Sequence, residues 1–253
     1  MAPGKSRTAE FAGQIAVVTG AARGIGLAIA RLLAERGAAV SLWDMDRAAL
    51  GTAAAALCAK GLAVSTNTVD VTDERAVFRA RDDVLRRSGH IDVLVNNAGV
   101  FPTATIRAID EADWQRVFAV NAWSVFVVTR AFMDTMIGRR YGRVVNIGSS
   151  GAYVPNPGLP HYAAAKLAVL SLTKSFALEL APHQVLVNAV SPGSVATERQ
   201  AGAPWLVERV PHIPIRRAGT PEDIAEVVLF LASHRNRFVV GETIIADGGL
   251  RMY

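Results

Sequence analysis

The run Gln14–Thr19 is short, apolar and β-branched, and Gly20-Ala21-Ala22-Arg23-Gly24-Ile25-Gly26 follows it directly, leading into a helical pattern from Leu27 to Arg36. Strand, glycine-rich turn and helix in that order are the context of a phosphate-binding loop. Glycine lets the backbone approach a pyrophosphate, and the helix start aims free N–H groups at its charge. The spacing is G-x-x-x-G-x-G, which a tight βα turn without a ligand satisfies equally. The same alternation then recurs. Ala38–Trp43, Leu62–Val69, Ile91–Val95, Arg143–Ile147, Val185–Val190 and Glu242–Ala246 read as strands, with helical patterns between most of them. This period predicts an α/β fold, a doubly wound parallel sheet with helices on both faces and ligands beyond the carboxyl ends of the strands.

No repeat or linker divides the 253 residues, so one domain spanning 1–253 is expected, with 51% apolar and 19% charged residues to form its core and surface. Residues 198–217 lack a strong period and carry Trp205 and three prolines, which predicts a mobile lid. The net charge of +5 is scattered rather than gathered into a basic and aromatic stripe, which argues against nucleic acid as a partner. No apolar run reaches the roughly 18 residues of a membrane span. The first thirteen residues lack the apolar core of a signal peptide. With a single cysteine, Cys58, these features predict a cytoplasmic protein without disulfides or a membrane partner.

Polar residues cluster at the strand ends. Gly20, Arg23, Gly24, Ile25 and Gly26 are the cofactor candidates of the first loop. Asp44 ends the second strand about twenty residues on, where a carboxylate accepts from ribose hydroxyls and repels a 2′-phosphate. Arg23 opposes it, since a guanidinium there can meet a 2′-phosphate or pair with a carboxylate. Asp44 carries more weight, so NAD is expected over NADP. Asp70, with Val71 beside it, is placed to meet an adenine amino group and serves equally as a polar strand end. Thr72 is the expected cap of the helix that follows. Asn97, Ala98 and Gly99 leave the fourth strand. Asn121 lies inside one long amphipathic helix expected over 110–136, where a buried amide satisfied by its neighbours is the plain reading. Tyr162 and Lys166 share a helix face one turn apart, a spacing also common on ordinary helix surfaces. An ammonium beside a phenol lowers its pKa toward the range of acid–base chemistry. Pro192, Gly193, Val195 and Thr197 form a rigid turn able to bracket a planar ring. No metal site is expected.

Taken together, TGxxxGIG at Thr19–Gly26, NNAG at 96–99, Asn121, Ser149, YxxxK at Tyr162 and Lys166, and PGxVxT at 192–197 make the chain resemble the short-chain dehydrogenase/reductase family. The resemblance implies a Rossmann-like fold with a seven-stranded parallel sheet, and hydride transfer between a nicotinamide and an alcohol or ketone. It implies Asn121, Ser149, Tyr162 and Lys166 as the catalytic set. Tyr162 exchanges the hydroxyl proton, Ser149 orients the substrate oxygen, and Lys166 tunes the phenol and binds the nicotinamide ribose. Asn121 matches the residue that holds a water leading from Lys166 to solvent, and Thr197 and Val195 fix the carboxamide. Ser149 is preferred to Ser150, which reads as a backbone-bonding turn residue. A homotetramer packed through the Tyr162 helix and the C-terminal segment is also implied.

The substrate is least determined. Val100, Phe101, Tyr153, Leu159 and Trp205 can line a mainly apolar pocket, which favours a small or medium hydrophobic secondary alcohol and its ketone. A 3-oxoacyl thioester reductase is the nearest alternative. Arg140 then faces an acidic carrier protein, although biosynthetic reduction usually uses the NADPH that Asp44 opposes. A polyol dehydrogenase and a non-catalytic cofactor-binding scaffold remain open.

Overall fold

The computed structural model describes residues 10–252. The first nine residues of the segment read above for a signal peptide lie outside them. The elements run β1 (Ile15–Thr19), α1 (Gly24–Glu35), β2 (Ala39–Asp44), α2 (Arg47–Cys58), β3 (Val64–Thr68), α3 (Glu74–Ser88) and β4 (Val93–Asn96). After these come α4 (Glu111–Phe118), α5 (Ser124–Arg139), β5 (Gly142–Ile147), α6 (Pro160–Leu180) and β6 (Val185–Pro192). The last are α7 (Pro204–Arg209), α8 (Pro221–Ala232) and β7 (Thr243–Ala246).

The strands pair in parallel in the order β3-β2-β1-β4-β5-β6-β7. Central strands such as β4, β5 and β6 are buried along their whole length, as continuous apolar runs require when both faces are covered. On one face Ile29 and Leu33 of α1 meet Val228 and Leu229 of α8. On the other, Phe132 of α5 and Phe176 and Leu180 of α6 pack with Trp43, whose ring lies 5.7 Å from that of Phe132. Burying each of these large side chains contributes about 1.5–3 kcal/mol. The winding reverses between β1 and β4, so their loops open a crevice at the carboxyl edge of the sheet.

Two local expectations are corrected. The helix expected over 110–136 is one helical run, but a π-helical turn at Ala119–Trp123 divides it into α4 and α5 around Asn121. Sequence periodicity does not register one extra residue in a turn. Such turns concentrate at functional sites. The cap of α3 is Asp73, which accepts from Ala76 N at 3.1 Å, because the Thr72 hydroxyl instead donates to Asp70 Oδ1 at 2.7 Å. The segment expected as a lid, 198–217, is built in part of short elements. It holds α7 and a short 3₁₀ turn, anchored by the buried Leu206 and Ile213. The stretch Glu111–Arg139 is long and apolar enough to cross a membrane by length and composition, and here it packs with α3, α6 and the sheet.

Candidate active site

Thr19, at the end of β1, holds the two central loops together. Its hydroxyl accepts from the Asn97 and Ala98 amides, each at 3.0 Å, while Asn97 Nδ2 donates to the Thr19 and Gly20 carbonyls at 2.9 and 3.0 Å. Gly26 fits under this clasp only without a side chain, since a Cβ would lie 2.2 Å from the Gly20 carbonyl oxygen. Gly20 and Gly24 have φ of 63° and 56°, the left-handed region that glycine enters without strain. Asn97 and Gly26 thus shape the loop, and Ile25 packs against the core beneath it.

The start of α1 has no side-chain cap of its own. The exposed Glu198, in the segment after β6, accepts from the Gly24 amide at 3.2 Å. A carboxylate therefore stands where the loop geometry suits a phosphate oxygen, and these residues fit a dinucleotide cofactor. Thr197 is close by, with Cγ2 3.3 Å from where a Gly24 Cβ would be. Gly193 admits no side chain because Asp247 lies against it, and Val195 bridges to Gly219. Pro192 closes β6 beside β7.

At the adenosine end, Asp44 Oδ2 accepts from Ala22 N at 3.1 Å and Oδ1 from Asp46 N at 3.0 Å. Arg23 pairs with Asp46, so the carboxylate alternative for that guanidinium is the one observed. Asp70 accepts from Thr72, as a polar turn residue does, and Val71 is buried next to it.

Tyr162 and Lys166 extend from the first turns of α6, and Ser149, just past β5, reaches Tyr162. Burial pushes the Tyr162 phenol above its usual pKa, and a hydrogen bond with Ser149 opposes that rise. Burial also lowers Lys166 to about 8. Lys166 Nζ donates to the Ile147 carbonyl at 2.8 Å and lies 5.9 Å from the Tyr162 ring centroid. Burial thus opposes the lowering expected from Lys166. The ammonium is directed at a carbonyl, and desolvation acts on both groups.

Asn121 is fully buried; its Nδ2 donates to the Val100 and Val117 carbonyls at 2.8 and 2.9 Å. Its Oδ1 accepts from Val100 N at 3.3 Å, and Gly99 leaves room for it. The side chain therefore fastens the π-helical turn to the loop after β4. Ser149 also accepts from Gly151 N at 3.2 Å, so it makes the backbone bond expected of Ser150, which is buried.

Of the pocket candidates, Val100 and Phe101 adjoin Tyr162, and the Phe101 and Tyr162 rings meet edge to face at 6.2 Å. Leu159 sits at the N-terminus of α6. Tyr153 lines a groove with Leu167, Leu170 and Lys174 on a neighbouring face of α6. Trp205 stands 44% exposed on α7, outside the ring pair. Beneath the site runs a buried polar chain. Asn96 donates to Thr129 and Asn146, and Asn146 donates to Thr173, tying β4, β5, α5 and α6 together. This chain and Glu198 were missed in the sequence. Asn146, a lone amide in an apolar strand, was the available signal.

A glycine loop at a sheet switch point, with a half-buried phenol and hydroxyl and a buried ammonium beside it, is the arrangement of a nucleotide-binding α/β protein. Residues 20–251 match the family model described as enoyl-(acyl carrier protein) reductase. The chain is 39% identical over 242 residues to the 3-oxoacyl-acyl-carrier-protein reductase FabG of Thermotoga maritima, covering 94% of this chain and 98% of that one. It is 37% identical to gluconate 5-dehydrogenase of Gluconobacter oxydans, covering 95% of each. A solved short-chain type dehydrogenase/reductase from Mycobacterium marinum superimposes with a TM-score of 0.91 at 33% identity, covering 95% of this chain and 96% of that one. The chain belongs to the short-chain dehydrogenase/reductase family and is an oxidoreductase of a family that binds a nicotinamide cofactor.

Proposed function

We propose that the protein transfers hydride between NAD(H) and a secondary alcohol or ketone, with Tyr162 as proton donor and acceptor. The observation that carries this reading is Ser149, Tyr162 and Lys166 converging beside a loop whose adenosine end is closed by Asp44. The bound nicotinamide supplies the hydride acceptor or donor. In reduction the Tyr162 phenol gives its proton to the carbonyl oxygen as charge develops there. Ser149 donates a hydrogen bond to the same oxygen. Lys166 holds the cofactor ribose and a route for the proton, and Asn121 keeps the adjoining turn in shape. The Gly20–Gly26 loop, with Arg23, Asp70, Val71, Asn97, Ala98, Gly99, Pro192, Gly193, Val195 and Thr197, forms the cofactor cradle in this reading.

For the substrate, the relatives support the thioester and polyol alternatives more than a free hydrophobic alcohol. FabG from several bacteria and gluconate 5-dehydrogenase are among them. The apolar side chains of Val100 and Phe101 beside Tyr162 favour a 3-oxoacyl chain over a polyol. Asp44 favours NADH as its reductant. A cytoplasmic homotetramer goes with this reading, and the exposed Trp114, Trp123, Leu167 and Leu178 on α4, the π-helical turn and α6 offer apolar surface for packing between copies.

Nicotinamide absorbance, followed with a 3-oxoacyl thioester, a ketone, a secondary alcohol and a sugar acid in the presence of each cofactor, tests the proposal. Turnover with NAD(H), fastest on the thioester, is expected. Cofactor binding without turnover on any of the four would favour the non-catalytic scaffold.

A further inference from the structure

Arg23 sits in the glycine loop where a guanidinium suits a 2′-phosphate, yet it already has a partner. Its Nη2 is ion-paired with Asp46 Oδ2. Asp46 is fixed in turn, since its Oδ1 accepts from Ala49 N at 3.1 Å as the cap of α2. Its own amide donates to Asp44 Oδ1 at 3.0 Å, and Asp44 Oδ2 accepts from Ala22 N, next to Arg23. Ala22, Arg23, Asp46 and Asp44 thus form a closed ring between the loop and the end of β2.

The ring has more charge than its structural duties need. Asparagine or serine caps a helix as well as aspartate does, so capping α2 requires no carboxylate. The pair is 33% and 43% exposed, and an ion pair so open to water adds little to stability. What the Asp46 charge does is occupy Arg23. No other ion pair to Arg23 exists among the described residues. The Asp46 carboxyl is held below its usual pKa, first by the Ala49 amide and then by Arg23.

We propose that Asp46 is a second determinant of cofactor specificity, engaging Arg23 so that it serves a 2′-phosphate less well, while Asp44 repels that phosphate directly. The inference rests on the NAD(H) reading. It implies that the loop carries a latent NADP site, silenced by one carboxylate two residues beyond Asp44.

The test is fluorescence titration of NADH and NADPH into the wild type, Asp46→Asn, and Asp46→Asn combined with Arg23→Ala. Asparagine keeps the cap, and Asp46→Ser is the second variant if the first fails to fold. In Asp46→Asn the NADPH Kd should fall by about fivefold or more, with NADH changed by less than about twofold. Adding Arg23→Ala should cancel the gain. The proposal is overturned by an unchanged NADPH affinity, or by a gain that survives loss of Arg23, since the gain then comes from removing a negative charge alone. A wild type that prefers NADPH contradicts the NAD(H) reading, whereas the Arg23-dependent gain decides the masking separately. Binding of neither cofactor overturns both.

Discussion

Lys166 is 4% exposed, and the structure gives its ammonium one protein acceptor, the Ile147 carbonyl. A buried cation of this kind lowers stability, and the sign follows from its pKa, which falls from 10.5 in the open chain to about 8 in the fold. Below pH 8 the folded protein holds a charge that water would solvate better, so the penalty is complete there. As pH rises from 8 to 10.5 the folded state has shed the proton and the unfolded state has not, so the penalty fades. Lys166→Met should therefore raise the melting temperature at pH 7 by several degrees, the full shift corresponding to about 3 kcal/mol. It should also flatten the rise in stability between pH 8 and 10, while removing turnover. Thermal unfolding across that range checks it; a lower melting temperature at pH 7 would mean that the bond to Ile147 outweighs desolvation. The sequence placed Tyr162 and Lys166 on one face because helical spacing is local. It could not show that Lys166 is directed at the Ile147 carbonyl, because that carbonyl comes from β5 and the contact exists only once the sheet forms.

At the scale of elements, the segment from Glu198 to α7 and the glycine loop are linked by one hydrogen bond, from the Gly24 amide to Glu198. A carboxylate at the positive end of α1 competes with a cofactor phosphate for the same amide. Glu198→Gln should tighten NADH binding by about 2–5-fold, the range for a single charge at a helix terminus. Calorimetric titration measures it. Unchanged or weaker binding would mean that Glu198 does not compete with the phosphate. The absence of a period in 198–217 was a true reading of the sequence, but it concealed α7, whose anchors Leu206 and Ile213 become apolar contacts only against the folded body. The π-helical turn at Asn121 was equally hidden, since the amide there bonds the Val100 carbonyl, which comes from the distant loop after β4. Strand ends and glycine turns were legible because each depends on neighbouring residues alone.

For the whole molecule, the alternation of buried strands and amphipathic helices predicted the doubly wound sheet, and the motif order led to the family. Both are properties of the chain read end to end. What the sequence did not determine is set by surfaces from distant segments meeting, such as Tyr153 lining a groove apart from Phe101. Substrate choice belongs to that class, and the relatives moved it away from a simple hydrophobic alcohol. In the proposed reaction one phenol carries the proton of a hydride transfer, in a cofactor cradle built independently of it. Parallel measurement of turnover and NADH affinity for the wild type and Tyr162→Phe addresses this directly. Turnover should fall by about 10²- to 10⁴-fold with NADH affinity nearly unchanged; equal turnover in the two proteins, or loss of NADH binding with the hydroxyl, would contradict the account.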